Sequence, residues 1–127
     1  MQDQPTAEEL VEAVADFIRT HAIPQLQGHA AFHARVAANA LDIVKRELGI
    51  APAANADELD RLKSLLHKDG GLEDMNRDLC ARLESGELTL ATPGLADHLW
   101  ETTLTKLAID QPNYSGYRRA RETMETK

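Results

Sequence analysis

Residues 28–48 read GHAAFHARVAANALDIVKREL, and the spacing of their apolar side chains decides the fold class. Stepped round at about 100° per residue, Phe32, Val36 and Ile43 fall together, with Ala37, Ala40 and Val44 beside them. That is the stripe of an amphipathic helix. His29 and His33 stand one turn apart, and His33 lands inside the apolar arc. A shared metal ion would need at least a third ligand, and a metalloprotease also needs a glutamate directly after the first histidine as general base. Position 30 is alanine, and the Glu-x-x-His pairs of carboxylate-bridged di-metal bundles occur nowhere in the chain. The residues therefore predict no metal: His33 is expected as a hydrogen-bonded packing residue facing another helix, with His29 nearer the solvent. The other face carries Arg35, Asn39, Asp42 and Arg46, with Asp42 and Arg46 placed for an exposed i,i+4 pair worth a few tenths of a kcal/mol. Asn39 lies at the boundary, where a covered amide would need partners.

The helical pattern extends both ways. Thr6 followed by Glu9 is a capping box, and Leu10, Val11, Val14, Phe17, Ile18 and His21 predict a helix over about 7–21, broken at Ile23-Pro24. The quoted helix starts at Pro24 or Gly28 and is closed by Gly49. APAANA, residues 51–56, reads as a linker, after which Asn55 as N-cap and Leu59, Leu62, Leu65 and Leu66 predict a short third helix ending near Asp69-Gly70-Gly71. Leu72, Met75, Leu79 and Leu83 mark a fourth, stopped by Ser85-Gly86. Thr92-Pro93 opens a fifth, through Leu95, Leu99, Trp100, Leu107 and Ile109 to Pro112. Only ELTLA, residues 87–91, resembles a strand, and it is too short. The expectation is an all-α fold: one domain over 1–127, a bundle of about five helices with a C-terminal extension, 111–127, docked as a tail with frayed last residues. Leu10, Val14, Phe17, Val36, Ile43, Leu62, Leu79, Leu99, Trp100 and Leu107 are its expected core.

Composition excludes several activities. At 127 residues the chain has the length of one domain, and a formal charge of −7 opposes a polyanionic partner, which clustered Lys and Arg would have to hold. No nucleic-acid role is expected. The single cysteine, Cys80, cannot make an internal disulfide, a zinc ribbon or a Cys-x-x-Cys redox site. It has no neighbouring base, and there is neither a Gly-x-Ser-x-Gly elbow nor a phosphate-binding glycine loop. No catalytic residue and no cofactor is expected. MQDQPTAEEL lacks the basic and apolar regions of a secretory leader, and no run nears the roughly 20 apolar residues of a membrane span. A cytoplasmic location is the expectation.

The second unusual stretch is KLAIDQPNYSGYRRAR, 106–121, which holds both tyrosines, Tyr114 and Tyr117, ahead of Arg118, Arg119 and Arg121. It reads as a tail folding back on two amphipathic aromatics, with Asp110 as an internal partner for an arginine. As a binding element it would grip a small anion through arginine forks. AFHARVAANALDIVKREL and KLAIDQPNYSGYRRA, in that order, resemble an uncharacterised family of small bacterial proteins classed as a domain of unknown function. The resemblance implies an accessory role beside aminoglycoside-phosphotransferase-like kinases and acyl-CoA dehydrogenases, and it assigns no chemistry to any residue. Two expectations follow. One is a non-catalytic helical interaction module, possible homo-oligomers included, showing an exposed apolar patch too large for an ordinary monomer surface. The other is a small-molecule or phosphate-binding protein with a polar pocket drawn from His33, Arg35, Asn39, Asp110, Tyr114, Tyr117 and Arg118.

Overall fold

In the computed structural model, which describes residues 3–126, five α-helices follow one another: α1 Ala7–Phe17, α2 Gly28–Leu66, α3 Leu72–Ser85, α4 Leu95–Asp110 and α5 Ser115–Glu125. The described residues contain no strand. The all-α expectation holds, but the helices are divided differently. α2 runs through Gly49 and through APAANA, with Pro52 inside it and Asn55 an interior residue rather than an N-cap. Pro52 forfeits one backbone hydrogen bond, to the Leu48 carbonyl, at a cost of about 3 kcal/mol. Four alanines around it have the best helix propensity, and helix already formed on both sides removes the nucleation cost. The segment expected as a tail supplies the fifth helix instead.

Other boundaries follow local chemistry. The Thr6 hydroxyl accepts the Glu9 N–H at 3.2 Å and donates to the Glu9 carboxylate at 3.1 Å, starting α1 as its capping box directs. Beyond Phe17 the chain widens into a π turn over Ile18–Ala22, then tightens into a 3₁₀ turn, Ile23–Gln25, which holds Pro24. α3 ends at Gly86, whose φ of 81° is left-handed and costs glycine nothing. Thr92 does not cap α4. Its hydroxyl accepts the Thr89 N–H at 3.0 Å, and α4 begins at Leu95, behind Gly94.

The chain divides into two compact units, Met1–Ile50 and Ala51–Lys127. In the first, α1 lies antiparallel to the N-terminal half of α2: Lys45 meets Glu12 at 2.8 Å, and Arg19, in the π turn that follows α1, meets Asp42 and Asn39. The residues buried here are alanines, Ala15, Ala31 and Ala38. In the second unit Leu62 and Leu66 of α2, Met75 and Leu79 of α3, Leu88 and Leu95 form the core, with Leu59, Leu65, Leu72, Leu83 and Leu99 packed round it. Tyr117 of α5 is buried, with the Arg121 guanidinium 6.0 Å from its ring centre.

A polar cluster ties α3 to the end of α2 and the turn that follows it. Asp78 faces Arg82 at 3.0 Å and Lys68 at 3.3 Å, while Arg82 also donates to the Leu66 carbonyl at 3.4 Å. The adjacent Arg82 guanidinium is the main reason the Asp78 carboxyl stays below the usual carboxylate range, against its partial desolvation. A group depressed in the folded state contributes stability above its unfolded pKa and loses it as pH falls through the folded one. Asp78→Asn should therefore lower the urea midpoint at pH 7, and its deficit against the wild type should shrink as acid protonates Asp78. A deficit that persisted unchanged at low pH would locate the effect in packing rather than charge.

Candidate interaction surface

The first unit has two unlike flanks, and the heptad arithmetic of its helices produces both. With Ala15 turned inward, Glu12 of α1 and Arg19 of the π turn lie on one side; with Ala38 turned inward, Asp42 and Lys45 lie on the matching side of α2. Arg19 spans that flank as a fork, Nη1 to Asp42 Oδ1 at 3.1 Å and Nη2 to Asp42 Oδ2, with Nη2 also donating to Asn39 Oδ1 at 3.0 Å. Its hydrogen bonds are the main cause holding the Asp42 carboxyl below its ordinary range. A groove of about 350 Å³ on this flank is lined by Glu8, Asp42, Lys45, Arg46, Gly49 and Ile50. Its charges come in both signs, so it presents no field that would draw an ion of one sign.

The other flank is apolar and uncovered. Leu10, Val14 and Phe17 of α1 remain 53%, 50% and 60% exposed, and Val44 and Leu48 of α2 42% and 40%. This corrects the expected core: Leu10, Val14, Phe17 and Val36 are outside, as is Trp100 of α4, whereas Leu62 and Leu79 are buried and Ile43, Leu99 and Leu107 half-buried. The physical reason is the alanine seam. Small residues let α1 and α2 approach closely, and a helix with one neighbour can cover only part of a wide apolar arc. Exposed ion pairs are worth about 0–1 kcal/mol each, so those on the polar flank select the rotation rather than drive the pairing.

His33 is also on the outside. It is exposed, as is His29, and its ring meets the Phe32 edge at 5.5 Å instead of facing another helix. The inward turn of Ala31 and Ala38 carries it away from α1. His33 and Asn39 stand about 120° apart round α2 and do not converge; Arg35 is exposed on the Asn39 side. Among the described residues no three His, Cys, Asp or Glu side chains are grouped to hold a metal ion. In the second unit Asp110, Tyr114 and Arg118 are exposed and Tyr117 buried. Asp110 makes no ion pair with an arginine among the described residues; Arg121 instead pairs with Glu125 at 3.3 Å. Gly116 lies under the Tyr114 ring, where a methyl group would come within 2.7 Å of it.

Sequence reasoning passed over Arg61 and His98. His98 is 1% exposed, and its Nδ1 accepts the Arg61 Nε–H at 3.2 Å. Accepting there fixes the neutral ring with its proton on Nε2. Desolvation, then the Arg61 charge, push its pKa down. The two line a cleft of about 300 Å³ with Ser64, Leu65, Pro93, Gly94 and Asp97. The signal was present: His98 follows Leu95 by three residues on the side of α4 that turns inward.

A family model described as a domain of unknown function (DUF6285) matches residues 24–114, from the 3₁₀ turn before α2 to the residue before α5. No curated protein and no solved structure matches the chain.

Proposed function

We propose, for a chain that belongs to the DUF6285 family, that it is a non-catalytic helical interaction module, with the apolar flank of its first unit as the binding surface. The uncovered row of Leu10, Val14, Phe17, Val44 and Leu48 carries this reading. Scattered exposed apolar residues are normal, whereas these five line up on one flank, opposite the ion pairs, as the kind of patch that often serves association. The role is accessory: the chain serves a partner enzyme, of the phosphotransferase-like kinase or acyl-CoA dehydrogenase kind that the family resemblance implies. Supporting it is the character of the groove on the polar flank, where Asp42 is held by Arg19 and Lys45 by Glu12.

A photoreactive phenylalanine analogue in place of Phe17, expressed in living cells, tests the surface without a named partner. Irradiation should yield a discrete heavier adduct from position 17 and none from the same analogue at Glu12, on the polar flank. Adducts from both positions, or from neither, would overturn the reading.

A further inference from the structure

We infer that the occupant of this flank is a second copy of the chain, two hairpins closing into a four-helix bundle about a two-fold axis. The inference rests on the interaction-module reading and names its partner. The flank consists of two rows. Leu10, Val14 and Phe17 follow one another along α1 at steps of four and three, with His21 four further on in the π turn; Ala37, Leu41, Val44 and Leu48 repeat the steps along α2. This is the seam spacing by which helices pack at small angles in coiled coils and bundles. Each helix of the hairpin thus carries one seam spent on its neighbour, through Ala15, Ala31 and Ala38, and one left open. A bundle needs four helices, and a second hairpin brings the missing two with the same spacing.

Charge and area agree. Neither row contains Asp, Glu, Lys or Arg, so two copies meet without like charges opposed, although each chain carries −7. An isologous contact requires a patch complementary to itself, which a neutral apolar double row is. A strongly charged partner would find nothing there to pair with. Half of each of five large side chains, at roughly 150 Å² apiece when fully covered, gives on the order of 400 Å² per copy. With the small residues of both rows the total nears about 1,000 Å², the floor for a biological interface and the range of weak, concentration-dependent pairing. Phe32 and Val36, farther round α2, stay outside the pairing and open to a partner enzyme.

Sedimentation equilibrium of the full chain decides it. The wild type should show twice the 14.0 kDa chain mass at micromolar concentration and above. The double variant Val14→Glu, Val44→Glu places four carboxylates in the seam, and its dissociation constant should rise by at least about 100-fold. Both positions are half exposed within one chain, so circular dichroism should show its helix content unchanged. Glu12→Ala, on the polar flank, should leave the doubled mass intact. A wild type at single-chain mass throughout overturns the inference, and so does a doubled mass that the two glutamates leave untouched. If the wild type is single while the Phe17 adduct still forms in cells, the second copy is wrong and the interaction surface stands.

Discussion

Leu62→Ala should remove about 2–5 kcal/mol of stability, whereas Trp100→Ala, at a position that sequence periodicity also places in the core, should cost about 1 kcal/mol or less. Leu62 is fully covered and sits among Leu66, Met75, Leu79 and Leu95 on three helices. Its truncation forfeits the transfer energy of three carbons and leaves a cavity that rigid backbone on every side keeps from collapsing. Trp100 is 52% exposed and leaves nothing closed behind it. Against a total of about 5–15 kcal/mol, the Leu62 loss should move the melting temperature by about 8 °C or more, as about 4–8 °C per kcal/mol applies to a unit of this size. Urea titrations followed by circular dichroism give both numbers. Trp100 emission in the native chain should be that of a water-exposed indole; a strongly blue-shifted spectrum, or equal costs for the two variants, would contradict this packing.

The second large effect belongs to His98. Its folded pKa lies below its unfolded value of about 6.5. The unfolded chain therefore binds the proton first, and stability falls as pH drops from about 6.5 toward the folded pKa, levelling only below it. The cause is physical: a second proton on the ring would have to displace the Arg61 Nε–H and set two cations together in a covered place. His98→Ala at pH 7 should cost about 2–3 kcal/mol, from the cavity and from an Arg61 left without its acceptor. The same variant should lose the component of acid sensitivity that begins near neutrality, while keeping the carboxylate component at lower pH. Thermal melts from pH 8 to pH 4 on both proteins measure this. An acid profile unaltered by the substitution would place the proton-linked group elsewhere.

Helix by helix, what the sequence discloses is a matter of local causes. Thr6 and Glu9, or Ser85-Gly86, act within one turn, and α1 starts and α3 stops where they stand. The apolar arc of α2 is likewise intrinsic to its residues. Which side of that arc faces inward is not, because it depends on how closely a second helix approaches. Ala15, Ala31 and Ala38 permit an approach that Phe32 and Val36 would prevent, so the smallest side chains take the inside. APAANA was opaque for a related reason. Its proline argues for a break, yet its alanines and the long helix on either side outweigh one missing hydrogen bond. Arg61 and His98 stand 37 residues apart, and no local pattern announces a pair made by folding. Tyr114 and Tyr117 flank one turn of the same short segment, but only Tyr117 lies on the side that α5 buries.

The six buried side chains of the C-terminal core all lie between residues 62 and 95, and this sets a pace. Only the short connections 67–71 and 86–94 have to close before Leu62, Met75 and Leu95 can meet, and closing loops that short costs little entropy. Contacts so near in sequence place the unit among the fast folders, in the microsecond-to-millisecond range. Collapse of this core should thus be complete long before two dilute chains could encounter one another. Partner choice at the N-terminal rows would then be made by molecules whose C-terminal half is already native.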